Sequence, residues 1–276
     1  MPTRRVRADV ALVESGLFPS REQARSAILE GRVKAGGAPV TKAGQPVSAE
    51  VSFEVREAPR YVSRGGVKLA GALDAFGVDP AGLAVIDVGA STGGFTDCLL
   101  QRGAATVTAL DVGYGQLAWA LRCDPRVRVV ERTNIRNADR ETLGGPYDLA
   151  VVDVSFISLA TVLPAVSAVV ADEGSVIALV KPQFEAGKGR VGKRGVVRDP
   201  AVHEDVLRSV EDASARRGLV VRGLTFSPIT GPEGNIEFWI WLARGGSATS
   251  VTPRTVVASA HDRLGGAGAR PDRTEP

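Results

Sequence analysis

LAVIDVGASTGGFTDCLLQRG, residues 83–103, decides the architecture of this chain. Leu83, Val85 and Ile86 form a short apolar strand run. Gly89, Gly93 and Gly94 open a turn that a Cβ would crowd, and Phe95, Cys98, Leu99 and Leu100 recur at helical spacing. Strand, glycine turn and helix in that order place a crevice at the carboxyl end of a first parallel strand. Open α/β sheets bind nucleotide-like ligands there. The glycine spacing is G-x-x-x-G-G, not the G-x-G-x-x-G of dinucleotide folds, and Asp87 ends the strand. A carboxylate at that point suits a ligand with a cationic end, which points to S-adenosylmethionine (SAM). Taken alone, the glycines also fit a plain structural turn.

Working outward, strand and helix patterns alternate downstream. VKLAGALDAFGV (67–78) predicts a helix ahead of the first strand, and ATVTALDVG (105–113) a second strand. GQLAWALR (115–122) reads as a helix, VRVVERTN (127–134) as a third strand and YDLAVVDVSFIS (147–158) as a fourth. A helix at 158–170, a fifth strand in SVIALVKP (175–182) and a long helix at 199–218 follow. GLVVRGLTFSPI (218–229) and NIEFWIWLA (235–243) are two more strands with no helix between them. The fold expected is a Rossmann-like, doubly wound α/β sheet of seven strands over 67–244, closed at one edge by an antiparallel hairpin. Residues 245–276 are rich in Gly, Pro, Ser and Arg, so a disordered tail is expected there.

Upstream, residues 1–58 read as a small α+β domain. Val10, Leu12 and Val13 mark one short helix. A second starts at a Ser20 cap, with Gln23 three residues on, and stops at Gly31. Short strand-like pieces follow around Val33, Val40, Val47 and 51–55. Arg4, Arg7 and Asp9, then SREQARSAILEGRVKAGG (20–37), then Val40, Lys42, Gly44 and Pro46 resemble an S4 RNA-binding domain. That resemblance implies an RNA-facing surface of Arg4, Arg5, Arg7, Arg21, Arg25, Lys34 and Lys42. Arg21 and Arg25 lie one helical turn apart and share a face. APRYVSRGG (58–66) reads as a boundary, with 59–66 as an interdomain linker.

Charge supports the same division. Residues 1–60 hold ten Lys/Arg against seven Asp/Glu, which accounts for the whole net charge of +3. A second basic run, KPQFEAGKGRVGKRGVVR (181–198), carries six basic residues and one acid. Lys188, Arg190, Lys193 and Arg194 in that loop are candidates for holding RNA phosphates. A solvated charged surface is the alternative for either run alone. Two cysteines, two histidines and no C-x-x-C argue against a disulfide framework and a metal site. No apolar run approaches the roughly 20 residues that cross a bilayer, and the N-terminus lacks a signal-type apolar stretch. A cytoplasmic, metal-free monomer without a membrane partner is expected.

The strand ends carry the candidate chemistry. Asp111 ends the second strand, where an acid takes ribose hydroxyls. Val112 follows it, and Asn134 and Ile135 follow the third strand, where an adenine edge is expected. With Asp87, Gly89, Ser91, Thr92, Gly93, Gly94, Phe95 and Asp153 they make the predicted cofactor set. Lys181 closes the fifth strand after four apolar residues, Glu237 opens the last, and Lys68 sits on the helix before the first. Each alone fits a structural salt bridge. In order and placement, Lys68, Asp153, Lys181 and Glu237 resemble the K-D-K-E tetrad of FtsJ-like ribose 2′-O-methyltransferases.

With an S4-like domain in front, the chain resembles the TlyA family of ribosomal RNA methyltransferases, also labelled haemolysins. The supporting strings are SRGGVKL, DVGASTGGFTD, ALDVGYGQL, VVDVSFISL, LVKPQFE, GKGRVGKRGVVRD and SPITGPEGNIEF. The resemblance implies SAM-dependent methylation of a ribose 2′-hydroxyl, of cytidine, in ribosomal RNA within ribosomal subunits. Lys181 would act as a base or as a charged stabiliser of the forming alkoxide, and both roles stay open. Two other classes fit part of the sequence: an RNA-binding or assembly protein with an idle methyltransferase fold, and a membrane-lytic protein. No basic amphipathic helix of the needed apolarity supports the second.

Overall fold

The computed structural model describes residues 4–187 and 189–265. The chain divides into two compact units, Met1–Arg60 and Tyr61–Pro276.

The first unit runs β1 (Arg5–Arg7), α1 (Ala8–Glu14), α2 (Arg21–Leu29), β2 (Val33–Ala35), β3 (Ala38–Pro39), β4 (Pro46–Ser48) and β5 (Phe53–Val55). Strand β1 pairs antiparallel with β4, and β2 lies between β3 and β5. Ser20 caps α2 by accepting the Gln23 amide at 3.3 Å, as the sequence predicts. Leu12, Ala24, Ala27, Ile28, Val33 and Val40 close a small core between the helices and strands.

The second unit is a seven-stranded, mostly parallel sheet with helices on both faces. In chain order it is α3 (Arg64–Phe76), β6 (Ala84–Val88), α4 (Gly94–Gln101), β7 (Thr106–Leu110), α5 (Trp119–Arg122), β8 (Val127–Val130), α6 (Arg140–Leu143), β9 (Tyr147–Val152), α7 (Leu159–Val169), β10 (Val170–Val180), α8 (Pro182–Glu185), α9 (Pro200–Ala215), β11 (Val220–Phe226), β12 (Phe238–Ala243) and α10 (Pro253–Leu264). The strand order is β11-β12-β10-β9-β6-β7-β8, with β12 antiparallel to both neighbours. The order reverses at β6, which leaves the cleft between β6 and β7 on one side and β9 on the other open for a ligand.

The central strands are apolar throughout because both faces are covered. Ile86, Val88, Ala150 and Val152 pack with Val162, Val166, Val206 and Val210 on one face. Val85, Leu149 and Val151 pack with Leu69, Leu73 and Leu99 on the other. Successive residues of β6 and β9 therefore enter different cores, as the two-residue strand period requires.

Three expectations need correction. The linker predicted over 59–66 ends early, because Tyr61 is buried and its ring lies where a Cβ on Gly66 would sit, 2.2 Å away. The Val62 amide donates to Asp97 at 2.8 Å, and Ser63 caps α3 through the Gly65 amide. The helix expected at 115–122 shrinks to the single turn of α5. The predicted disordered tail contains α10, capped by Thr252 with Pro253 in its first turn. Val256, Val257 and Ala260 are buried, at helical spacing that a Gly-, Pro- and Ser-rich composition conceals. Residues 266–276 of that tail lie outside the described residues.

Candidate active site

The carboxyl ends of β6, β7, β9 and β10 deliver the candidate residues to one region. A cleft of about 490 Å³ is lined by Gly89, Ser91, Asp111, Asn134, Ile135 and Asp153, with Val112 at its rim. A second cavity of about 350 Å³ adjoins it and is lined by Arg64, Lys68, Thr92, Gly94, Phe95 and Asp153. Gly89, Ser91 and Asp153 border both. Gly89 takes a left-handed φ of +91°, and a Cβ there would meet the Asp153 carbonyl oxygen at 2.3 Å. Only glycine lets β6 turn against β9 at this point.

Asp111 accepts the Ser91 amide and the Gly113 amide, both at 2.7 Å, so its carboxylate is fixed at the cleft wall. Each oxygen keeps a lone pair beyond the one engaged. Asn134 lines the cleft and caps the turn at Ile135–Asn137 through the Arg136 amide at 3.1 Å. Gly93 lies behind the loop: its φ is +94°, and a Cβ there would strike Leu121 at 2.3 Å. It packs against Leu117 and Leu121 and is not among the lining residues of either cavity.

Asp87 is fully buried within β6. Its Oδ2 accepts the Thr96 amide at 3.0 Å and the Thr96 hydroxyl at 2.7 Å, while its Oδ1 lacks a partner. Burial pushes the carboxyl up to about 7, with smaller upward effects from Asp153 and Asp111 and downward ones from Thr96. A buried, half-satisfied carboxylate beside a glycine turn is costly unless a cation completes it. The Gly89 cradle and the fixed Asp111 carboxylate, with Asn134 on the same cleft, fit the ribose end of SAM. The orphaned Asp87 oxygen behind them adds negative charge that suits its cationic end. Gly89, Ser91, Asp111 and Asn134 are the lining residues that would hold it.

The four tetrad residues form two ion pairs. Lys68 Nζ donates to Glu237 Oε2 at 2.5 Å in a nearly solvent-free setting. Lys181 pairs with Asp153 and also donates to the Ser155 hydroxyl at 3.0 Å. Burial raises the Glu237 carboxyl above its ordinary range; Lys68 opposes this most, Lys181 also lowers it, and Asp153 raises it further. Lys68 and Asp153 line the same cavity, which brings the two pairs to one place. Glu237 stands just ahead of β12, and Gly231 leaves room for its carboxylate, since a Cβ there would lie 2.7 Å from Oε1.

Residues that the sequence reading passed over also reach the site. Ser63, Arg64 and Gly65, assigned to the linker, line the smaller cavity. The run SRGG immediately before the predicted helix was the available signal. Ser155 and Phe156 follow Asp153; Phe156 adopts φ +64° and is 90% exposed. Its ring lies 4.9 Å from that of Phe184, and the Lys181 ammonium sits 5.9 Å from the Phe184 ring centre. A large apolar side chain held in solvent on a left-handed backbone is unusual and marks a surface built for contact.

The predicted RNA residues separate into groups. Arg4, Arg5, Arg7, Arg21, Arg25 and Lys42 are exposed on β1, α2 and the loop before β4. Lys34 lies on β2 and faces Glu54 at 3.9 Å. In the basic loop, Arg190 is paired with Asp205 at 2.6 Å, so its charge is partly spent within the fold. Arg194 is exposed with φ +67°. Lys188 and the side chain of Lys193 lie outside the described residues. Among the described residues no helix is long and apolar enough to cross a membrane.

Comparison with known proteins matches this geometry. The FtsJ-like methyltransferase family model covers residues 61–244, and the S4 domain model covers residues 6–51. The 16S/23S rRNA (cytidine-2′-O)-methyltransferase TlyA of Mycobacterium tuberculosis is 50% identical over 241 residues, 87% of this chain and 90% of that protein. Hemolysin A of Brachyspira hyodysenteriae is 38% identical over 234 residues, 84% of this chain and 98% of its own length. A Streptococcus thermophilus structure that carries a hemolysin name superposes with a TM-score of 0.74 at 43% identity, covering 96% of this chain and 98% of that one. The chain therefore belongs to the FtsJ-like methyltransferase family, in a form that carries an S4 domain ahead of the methyltransferase.

Proposed function

We propose that this protein methylates the ribose 2′-hydroxyl of cytidine in ribosomal RNA. The observation that carries the reading is the double ion pair, Lys68–Glu237 and Lys181–Asp153, beside two cavities that share Gly89, Ser91 and Asp153. The relative from Mycobacterium tuberculosis, half identical over nine-tenths of its length, supports both the reaction and the cytidine.

SAM, when bound, supplies an electrophilic methyl group on a sulfonium centre. The task left to the chain is to align a weak oxygen nucleophile and to accommodate one proton. Asp153, which borders both cavities, and Ser155 hold the Lys181 ammonium from two sides. From there it faces the incoming hydroxyl, as a base or as a cation that stabilises the forming alkoxide. Glu237 holds Lys68 in place within the buried half of the site. Phe156 and Phe184 offer an exposed aromatic surface next to Lys181, suited to stacking a base drawn out of its helix. The S4 face and the exposed arginines of the 190–198 loop supply the phosphate contacts.

Lys181→Ala tests the assignment. Methylation of ribosomal RNA is expected to fall by at least about 10²-fold while SAM and RNA affinities stay near those of the parent. Radiolabel transfer to ribosomal subunits reports the first, and calorimetry and filter binding the second. Full activity in the variant would remove Lys181 from the mechanism.

A further inference from the structure

Asp9 is an acid in the middle of a basic surface, and its surroundings are specific. It lies in the first turn of α1 with its side chain 5% exposed. Arg7 Nε donates to its Oδ1 at 2.9 Å and Arg7 Nη2 to its Oδ2 at 3.1 Å. Arg21, from the start of α2, donates to Oδ2 through Nε at 3.2 Å and Nη2 at 2.7 Å. Both arginine side chains remain more than half exposed, at 54% and 60%. The Nη1 group of each lies outside the carboxylate contact.

The local fold holds the acid still. The Ala8 amide donates to the Gln45 carbonyl at 2.9 Å and the Asp9 amide to the Ala43 carbonyl at 3.0 Å. The loop that carries Lys42 is thereby tied to the same turn. A Cβ on Gly44 would lie 3.0 Å from Arg7 Nη1, so the arginine rests closely over that glycine. The Asp9 carboxyl is drawn down to about 2, chiefly by its hydrogen bond to Arg7 and against the effect of burial, so it stays ionised through the whole working range.

We infer that Asp9 is a positioning residue that locks Arg7 and Arg21 into a two-pronged phosphate clamp for RNA. The inference rests on the reading of the first unit as the RNA-gripping module. Two free arginines on neighbouring elements would repel each other and would lose rotamer freedom on binding. One buried carboxylate between them removes the repulsion and fixes both planes before the RNA arrives. Each guanidinium then presents its outer edge to a phosphate oxygen pair in a bidentate manner. The net charge of the three groups is +1, so the device gives up bulk attraction in exchange for preorganised geometry.

That exchange makes the test decisive, because charge counting and preorganisation predict opposite signs. Asp9→Asn adds one positive charge to the RNA face at almost constant size. Charge alone would tighten binding of 16S and 23S rRNA to the full chain and steepen its salt dependence. The clamp predicts about fivefold or greater weakening with a shallower salt slope, since bidentate contacts are lost. Parental or tighter binding by a folded Asp9→Asn protein overturns the inference. Should that variant lose its first unit by thermal denaturation, Arg7→Lys with Arg21→Lys keeps every charge and removes only the fork. The clamp predicts the same weakening, and parental affinity there overturns it. Arg7→Ala with Arg21→Ala separates the two levels. No loss of binding in that protein overturns the RNA face itself; a loss there with unaltered Asp9→Asn binding overturns only the clamp.

Discussion

At the scale of single residues, the site is organised by what each buried charge has opposite it. Lys68 has Glu237, Lys181 has Asp153, and Asp87 has half a partner set, with one oxygen on Thr96 and one unmatched. Removing one member of the buried Lys68–Glu237 pair should cost about 3–5 kcal/mol. A cation bound beside the unmatched Asp87 oxygen would link cofactor binding to its protonation. Its carboxyl titrates near 7 in the fold, above its ordinary value, chiefly through burial. The protonated form therefore holds full stability below the unfolded value, and stability is lost as pH rises toward 7. A cationic ligand favours the ionised form, so SAM affinity should rise with pH through about 7, and binding near neutrality should release a proton. Calorimetry in buffers of different ionisation enthalpy measures that proton directly. Asp87→Asn should abolish both the release and the pH dependence.

At the scale of elements, α10 and α9 are joined by the only two histidines of the chain. His203 Nδ1 lies 2.9 Å from His261 Nε2, and the His203 ring packs edge-on against Phe238, the residue after Glu237. Burial lowers the His203 imidazole to about 4; His261 pushes the same way, while the Val197 backbone and Asp199 oppose it. An unfolded histidine takes up its proton near 6.5, so the unfolded chain binds it first as pH falls. Stability should drop from about pH 6.5 toward 4, by at most about 3 kcal/mol from this group. Chemical denaturation across that range checks it, and the advantage of the parent over His203→Leu should shrink steadily toward the acid end. Truncation before Thr252 should destabilise the protein at every pH, because Val256, Val257 and Ala260 lose their buried positions.

For the whole molecule, the cofactor cavities and the exposed arginines of the S4-like unit belong to different units of the chain. Both cavities of the site are lined only by residues of Tyr61–Pro276, whereas the exposed arginines of β1 and α2 belong to Met1–Arg60. Replacing Arg4, Arg5 and Arg25 together with Gln should therefore leave SAM affinity unchanged. It should also reduce the slope of log affinity against log salt for rRNA by about 2. Filter binding at several salt concentrations and calorimetry with SAM separate the two effects. An unchanged slope would place the phosphate contacts elsewhere, with the 190–198 loop as the next candidate.

The sequence by itself determined the sheet and the glycine turn at its first strand, while the tetrad was read through a family resemblance. Apolar runs of strand period, glycines and strand-end charges are local signals, and the strand order then forces their ends together. Asp87, Asp111, Asp153 and Lys181 were legible for that reason. Tertiary structure alone decided which partner each charge takes. Lys68 meets Glu237 across 169 residues, and Asp9 gathers Arg7 with Arg21 from another helix. It also decided that 61–66 belongs to the catalytic unit and that 253–264 is a packed helix, since Tyr61, Val256 and Val257 find burial only against distant elements. Gly93 must be glycine for a reason no sequence window shows, since Leu121 stands where its Cβ would be. Pairing and burial are properties of residues brought together by folding, so no window of the sequence contains them.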